Sequence, residues 1–137
     1  MARRRPSAPP QRLILDSGAV IALSRQEQRA RAFLRRAVEL DAEVRVPVVV
    51  LAETVRGSQR DAAVNRVLAA VGDTAPLPAE VGRRAGRLLG RTRRSDTIDA
   101  IVVAEAIAAG GAVILTGDPD DLSALAAGEP AVSIRAV

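Results

Sequence analysis

The stretch LILDSGAVIAL, residues 13–23, decides how the chain folds. Three branched apolar residues lead directly into Asp16, a small Ser-Gly pair follows, and a second apolar run comes next. A short apolar run beside a helical pattern predicts a buried parallel strand that feeds a helix. Asp16 then stands at the carboxyl end of the strand, the edge of an open α/β sheet where ligands bind. We therefore predict that Asp16 is one corner of an acidic pocket that holds a metal ion.

The composition excludes several kinds of functional site. The 137-residue chain has no histidine and no cysteine, so zinc sites of nitrogen and sulfur and nucleophilic systems built on those residues are excluded. All 20 basic residues are arginine, which also excludes P-loop and Schiff-base chemistry. A bound metal must then use oxygen ligands, and such ligands favour Mg²⁺ or Mn²⁺.

Length and charge distribution predict one domain preceded by a short tail. Residues 1–11 are rich in arginine and proline and lack an apolar period, which predicts a disordered basic tail before a domain at 12–137. The tail could contact nucleic-acid phosphates, although a solvated tail explains it as well. The apolar runs are far shorter than the ~20 residues of a membrane helix, so we expect a cytoplasmic protein without a membrane segment.

The remaining chain alternates predicted strands and helices, which indicates an α/β fold with a parallel sheet. Strands are predicted at 13–16, 44–46, 73–77, 112–115 and 131–134, and helices at 17–23, 28–40, 47–57, 61–71, 78–91, 95–109 and 122–127. In the helix at 78–91, Gly82, Gly86 and Gly90 are spaced four apart and leave a bare stripe, which suggests that another backbone packs against it. Phe33, the one aromatic residue, is predicted to lie in the core.

Four acids lie in apolar surroundings, unlike most of the others, which lie among arginines: Asp16, Glu53, Asp99 and Asp118. Each has a structural alternative: a helix cap for Asp16, an arginine partner such as Arg56 or a solvent-facing edge for Glu53, a capping pair of Asp96 with Asp99, and a turn for Asp118. If the four converge instead, their charges repel strongly, and a divalent cation relieves that repulsion. Such an ion can also activate water and stabilise a pentacoordinate phosphate.

Four segments carry a resemblance to a known family: LILDSGAVIAL at 13–23, VVVLAETVRG at 48–57, SDTIDAIVVAEA at 95–106 and AVILTGDPDDL at 112–122. In this order they resemble the PIN-domain family, in particular the small VapC-type ribonuclease toxins of toxin–antitoxin pairs. The resemblance implies a single-domain α/β/α sandwich of three layers with a central, mostly parallel sheet. It also implies a Mg²⁺- or Mn²⁺-dependent endoribonuclease that forms homodimers and is inhibited by a small antitoxin protein.

The same resemblance implies roles for individual residues. The catalytic acids are expected to be Asp16, Glu53, Asp99 and Asp118, and the metal ligands Asp16, Asp99 and Asp118. Asp121 is a possible further acid, and whether Asp118 or Asp121 is the fourth corner stays open. Ser17 and Thr116 fit the hydroxyl positions beside such acids, and Asp96 is a secondary candidate.

A basic segment without acids directly precedes the Asp99 region. It contains Arg83, Arg84, Arg87, Arg91, Arg93 and Arg94. We predict that these arginines line the approach of RNA to the pocket, the alternative being a solvated helix face. The competing function is a non-catalytic RNA-binding or regulatory module on the same fold. A phosphotransfer domain is disfavoured because such domains use a lysine.

Overall fold

The computed structural model describes residues 11–71 and 74–137, which form an α/β fold around a four-stranded sheet. The strands are β1 (Arg12–Leu15), β2 (Glu43–Arg45), β3 (Ala112–Thr116) and β4 (Val132–Ala136). Their order is β2-β1-β3-β4, and every neighbouring pair is parallel. With helices packed on the sheet, this arrangement confirms the predicted α/β sandwich.

Seven α-helices surround or connect the strands in the described part of the chain. They are α1 (Ser17–Ser24), α2 (Gln28–Glu39), α3 (Val48–Thr54), α4 (Ala62–Val71), α5 (Ala79–Thr92), α6 (Thr97–Ala108) and α7 (Pro119–Leu125), with a 3-10 turn at Gln59–Asp61 before α4. Helix α6 is apolar on nearly all sides because it lies between α5 and the sheet and also contacts α7. None of the helices in the described ranges has the length and apolar character that crossing a bilayer requires.

The centre of the core is the pair of adjacent strands β1 and β3. Ile14, Leu15, Ile114 and Leu115 are fully buried, and Leu15 pairs with Leu115 across the two strands. Each such side chain stabilises the fold by about 1.5–3 kcal/mol relative to an exposed one. Because the strands are parallel and in register, the residues that follow them emerge together at one edge of the sheet.

Two predicted elements are wrong or too long. The strand at 73–77 is wrong: residues 74–77 have no regular structure, Pro76 lacks the N–H that a strand needs, and Asp73 lies outside the described residues. The helix at 47–57 ends at Thr54. The Asp61 carboxylate accepts hydrogen bonds from the backbone N–H groups of residues 56, 57 and 58, and these bonds hold the chain in a turn. The other boundaries shift by a few residues.

The predicted tail at 1–11 lies outside the described residues, except for Gln11. The carbonyl oxygen of Gln11 accepts a hydrogen bond from the Glu43 backbone at 2.8 Å. This bond extends the pairing of β1 and β2 by one residue at the start of the domain.

The prediction of a backbone packed against the glycine stripe is wrong. Gly82, Gly86 and Gly90 are exposed, and a Cβ built on any of them would meet nothing within 4 Å. Helix α5 instead packs through its apolar face of Val81, Ala85 and Leu88. The spacing correctly placed the glycines on one face, but that face is turned to solvent.

The predicted core position of Phe33 is only partly correct. Its side chain is partly buried and packs against the core, while the Arg29 guanidinium lies 5.7 Å from the ring centroid. Phe33 therefore lies at the margin of the core, where a cation–π contact is possible.

Gly18 allows the ends of β1 and β3 to approach each other. A Cβ on Gly18 would lie 2.6 Å from the Gly117 nitrogen and 2.9 Å from the Gly117 Cα, which is closer than nonbonded atoms tolerate. A Cβ on Gly117 would lie 3.5 Å from the Gly18 Cα, an ordinary contact. Only glycine therefore fits at position 18 unless the two backbones separate.

We expect Gly18→Ala to lower the free energy of unfolding by about 1–3 kcal/mol, because the added methyl group forces two backbone segments apart. The matched control is Gly117→Ala, which should change it by less than about 1 kcal/mol. Urea unfolding followed by circular dichroism measures both. Equal losses in the two variants would contradict the close approach at Gly18.

Candidate metal centre

An acidic cleft of about 450 Å³ opens at the carboxyl edge of the sheet. It is lined by all four acids that were predicted to converge, namely Asp16, Glu53, Asp99 and Asp118. The secondary candidates Ser17, Asp96 and Thr116 line it too. A second cavity of about 400 Å³ lies beside the amino ends of β1 and β3 and has no acid in its lining, so it offers no carboxylate to a cation. The acidic cleft is therefore the candidate site.

Asp16 is the most buried acid of the cleft, with 4% of its surface exposed. It stands at the N-cap of α1 but makes no side-chain capping bond, so the capping alternative is wrong. The Thr116 hydroxyl donates to Asp16 Oδ2 at 2.9 Å and accepts from the Asp118 backbone N–H at 3.0 Å. Asp16 Oδ1 is buried without a hydrogen-bond partner. A buried carboxylate oxygen that lacks a donor is costly, and a cation would satisfy it.

Glu53 reaches the cleft from α3, and its Oε1 is also buried without a hydrogen-bond partner. The Arg56 guanidinium donates to the carbonyl oxygens of residues 52 and 55 and not to Glu53. The alternative in which Arg56 pairs with Glu53 is therefore wrong. Burial and the charge of Asp16 raise the pKa of Glu53, while the Ser17 hydroxyl and the Arg56 charge act in the opposite direction. Glu53 therefore lies in a site where a negative charge is disfavoured.

Asp96 and Asp99 are placed by the amino end of α6. Asp96 is the N-cap residue and Asp99 lies in the first turn, yet Asp96 makes no side-chain capping bond, so the predicted capping pair is absent. Burial, together with the charges of the other cleft acids, Asp16 first among them, raises the pKa of Asp99 to about 6. Asp99 thus experiences the crowding of carboxylates most strongly.

Asp118 and Asp121 belong to the start of α7 and differ in their partners. Asp118 is the N-cap residue but makes no side-chain capping bond. The Arg94 Nη1 donates to Asp121 Oδ1 at 2.8 Å, and this bond lowers the pKa of Asp121. The neighbouring Asp121 carboxylate and the loss of solvation raise the pKa of Asp118. The arginine therefore favours the charged form of Asp121 over that of Asp118.

Three carboxylates are close enough to share one ion. Ligand oxygens of Asp96, Asp99 and Asp121 all lie within 4.8 Å of one another, and this is the one such group among the described residues. Of the three predicted ligands, Asp99 belongs to the group and Asp16 and Asp118 do not, although both line the same cleft. Carboxylate oxygens together with the unpartnered Asp16 Oδ1 fit a hard divalent cation.

The predicted RNA-binding arginines lie outside the lining of the cleft. Arg94 contacts Asp121, Arg84 Nη2 lies 3.9 Å from Glu80, and Arg91 donates to the carbonyl oxygen of residue 127. The segment nevertheless leads directly into Ser95 and Asp96, which line the cleft. Their role in RNA binding stays a prediction. Sequence reasoning missed the Arg94–Asp121 contact, which joins residues 27 positions apart.

We expect the metal-free protein to lose stability as the pH rises from about 4 to 7. The pKa of Asp99 is about 6 in the folded protein and 3.8 ordinarily. The folded state therefore binds the proton more tightly than the unfolded state, and its advantage is present below pH 4 and lost above pH 6. Since solvent reaches Asp99 and screens its neighbours, the loss is about 1 kcal/mol.

Asp99→Asn should remove most of that pH dependence, because the amide does not titrate. Urea unfolding of metal-stripped protein across this pH range measures the pH dependence of stability. Glu39→Gln, at an exposed position of α2, is the control. The same pH dependence in Asp99→Asn and wild type would contradict the assigned crowding.

Comparisons with known proteins agree with this fold. Three solved structures share the fold: VapBC2 from Rickettsia felis bound to a DNA fragment from its promoter, a toxin–antitoxin complex from Klebsiella pneumoniae, and VapBC-5 from Mycobacterium tuberculosis. The TM-scores are 0.71, 0.67 and 0.58, and the identities 12%, 18% and 24%. The matches cover 93%, 88% and 93% of this chain and 99%, 94% and 100% of those chains.

The sequence itself gives the family. A comparison with curated proteins finds no significant match. The family model described as "PIN domain" matches residues 13–128, which include all four segments that carried the resemblance. On the strength of that match, the chain belongs to the PIN-domain family.

Proposed function

We propose that this protein is a metal-dependent endoribonuclease of the VapC type, the toxin of a toxin–antitoxin pair. One observation supports the proposal above the others: several carboxylates share a cleft in which Asp16 Oδ1 is buried without a partner. Burying a carboxylate oxygen without a partner costs free energy, and a cleft with no ligand to bind would have no compensation for that cost. The PIN-domain match and the VapBC structures of the same fold favour the same function.

The metal would be held by Asp99 with Asp96 and Asp121, and Asp16 would face it from the floor of the cleft. When bound, Mg²⁺ or Mn²⁺ supplies charge neutralisation at the scissile phosphate and activates water. Burial and the charges of the neighbouring acids raise the pKa of Asp99, so a cation held among these carboxylates would favour the charged form of Asp99.

The chain's own residues supply the positioning. Thr116 holds Asp16 through a hydroxyl bond and fixes the Asp118 backbone, which ties the ends of β1 and β3 together. Glu53 Oε1 is buried without a hydrogen-bond partner, so this carboxylate keeps an unused hydrogen-bond acceptor. Its raised pKa suits a group that takes up a proton during hydrolysis.

The test of catalysis uses metal-stripped protein, structured RNA and added Mn²⁺. Wild type is expected to cleave the RNA, and Asp99→Asn should cut the rate by about a hundredfold or more, because the site loses an anionic ligand. Glu39→Gln, which removes a carboxylate from α2 outside the cleft, should cleave like wild type. Gel electrophoresis of end-labelled RNA measures the rates. Unchanged cleavage by a folded Asp99→Asn protein would overturn the proposal.

The alternative function is a non-catalytic RNA-binding or regulatory module. It predicts RNA binding that persists in EDTA together with no cleavage under any metal. The same assay therefore separates the two functions.

We also propose that the basic segment guides RNA to the cleft. Arg91→Glu with Arg93→Glu should weaken RNA binding and reduce the slope of log affinity against log salt by roughly 0.7 per lost phosphate contact. The measurement is filter binding across salt concentrations, in the Asp99→Asn background so that the RNA stays intact. Arg31→Glu with Arg35→Glu on α2 makes the same charge change elsewhere and should have less effect. Equal effects of the two pairs would remove the role of the segment.

The partners follow from the same proposal. A small antitoxin protein is the expected inhibitor, because the K. pneumoniae structure is a toxin–antitoxin complex and the M. tuberculosis structure belongs to the VapBC family of toxin–antitoxin systems. A homodimer and a cytoplasmic location remain predictions from the family resemblance.

A further inference from the structure

Arg94 occupies a fixed position beside the acidic cleft. It follows Arg93, whose left-handed conformation (φ 56°) ends α5, and its backbone N–H donates to the carbonyl oxygen of Leu89 at 3.3 Å. Its side chain then reaches across to α7, where Nη1 donates to Asp121 Oδ1 at 2.8 Å. Both side chains are about one-third exposed, 34% and 38%. The guanidinium is therefore anchored at one end by the helix terminus and at the other by a carboxylate.

The carboxylate that Arg94 holds is one of the three that can share an ion. Asp121 lies with Asp96 and Asp99 in the group whose oxygens are within 4.8 Å of one another. Within the described part of the chain, no other salt bridge involves an acid of the cleft or of this group. An arginine stays charged at every relevant pH, so its cation is a permanent feature of the site.

We propose that Arg94 is a built-in counter-cation that competes with the divalent ion for Asp121. This inference rests on the proposed metal-dependent function and concerns the regulation of the same site. Without the ion, the guanidinium neutralises one of three crowded carboxylates and stabilises the fold. The arriving ion either takes Asp121 from Arg94 or binds beside a positive charge, and both weaken its binding. Arg94 thereby raises the ion concentration at which the site fills.

A purely structural bridge would behave differently. If Arg94 only oriented Asp121 for the ion, removing the arginine would weaken ion binding. Competition predicts the opposite sign, because the removed charge repels the ion. The direction of the affinity change therefore distinguishes the two roles.

The experiment measures Mn²⁺ binding by isothermal titration calorimetry on metal-stripped full-length protein, with thermal melts in EDTA and in saturating Mn²⁺. Arg94→Ala should bind Mn²⁺ about fivefold more tightly than wild type. In EDTA its melting temperature should be lower by about 2–4 °C, and saturating Mn²⁺ should remove most of that difference. Arg94→Lys keeps the charge and should stay near wild type. Arg31→Ala on α2 removes an arginine far from the bridge and should bind Mn²⁺ like wild type.

A double-mutant comparison tests the same contact from its other side. Arg94→Ala should tighten Mn²⁺ binding less when Asp121 is already Asn, because the competed carboxylate is gone. Arg94→Gln serves as the uncharged variant if Arg94→Ala does not fold.

The outcomes separate this inference from the proposed function. If wild type binds no Mn²⁺, the proposed function is overturned, and this inference with it. If wild type binds Mn²⁺ and the uncharged variants bind it equally or less tightly, only the competition is overturned.

Discussion

The main constraint on this fold is the repulsion among the carboxylates at one edge of its sheet. Asp16, Glu53, Asp99 and Asp118 line a single cleft, and Asp121 lies beside it. Among the described residues, two side-chain hydrogen bonds offset this repulsion. The Thr116 hydroxyl donates to Asp16, and the Arg94 guanidinium donates to Asp121. Like charges at short distance in a partly buried site cost free energy, which the raised pKa of Asp99 reflects. The rest of the fold has to hold these groups together against that cost.

The apolar core beneath the cleft provides the opposing stability. The residues of β1 and β3 that lie nearest the cleft are fully buried. Helix α6 is enclosed between α5 and the sheet. Gly18 and Gly117 bring the two strand ends into backbone contact. Acids attached to such rigid elements cannot move apart to relieve their repulsion, because core packing resists small displacements. The crowding is thus built into the scaffold and is available to bind a cation.

Acids line the cleft, and the arginines of the basic segment lie outside it. The six arginines of the basic segment lie on α5 and the following loop, and none lines the cleft. For the proposed ribonuclease this division has a physical use, since an RNA backbone needs cations along its path and an ion at the cut bond. Arg94 lies at the boundary between the two regions, because it belongs to the basic segment and contacts Asp121.

The class of fold and the positions of most cleft acids could be predicted from the residue pattern alone. Asp16 and Asp118 could be placed because apolar runs mark where buried strands end, and Asp99 because the helix after it is apolar on nearly all sides. The spacing of the three glycines in α5 correctly predicted that they share one face of the helix. The spacing does not say whether that face packs against another segment or is exposed to solvent. The strand expected at 73–77 failed for a different reason, since Pro76 lacks the N–H that pairing in a sheet requires.

The residue pattern could not predict which carboxylates are close enough to share an ion, because that depends on how distant segments pack. Asp96 was expected to cap α6, yet its carboxylate lies with Asp99 and Asp121. Arg94 was expected to meet RNA, yet it holds Asp121. Both contacts join α6 or the loop before it to α7, and they depend on how the helices pack on the sheet. Local sequence encodes helix and strand through backbone geometry, whereas distances between remote side chains are set by packing of the whole core.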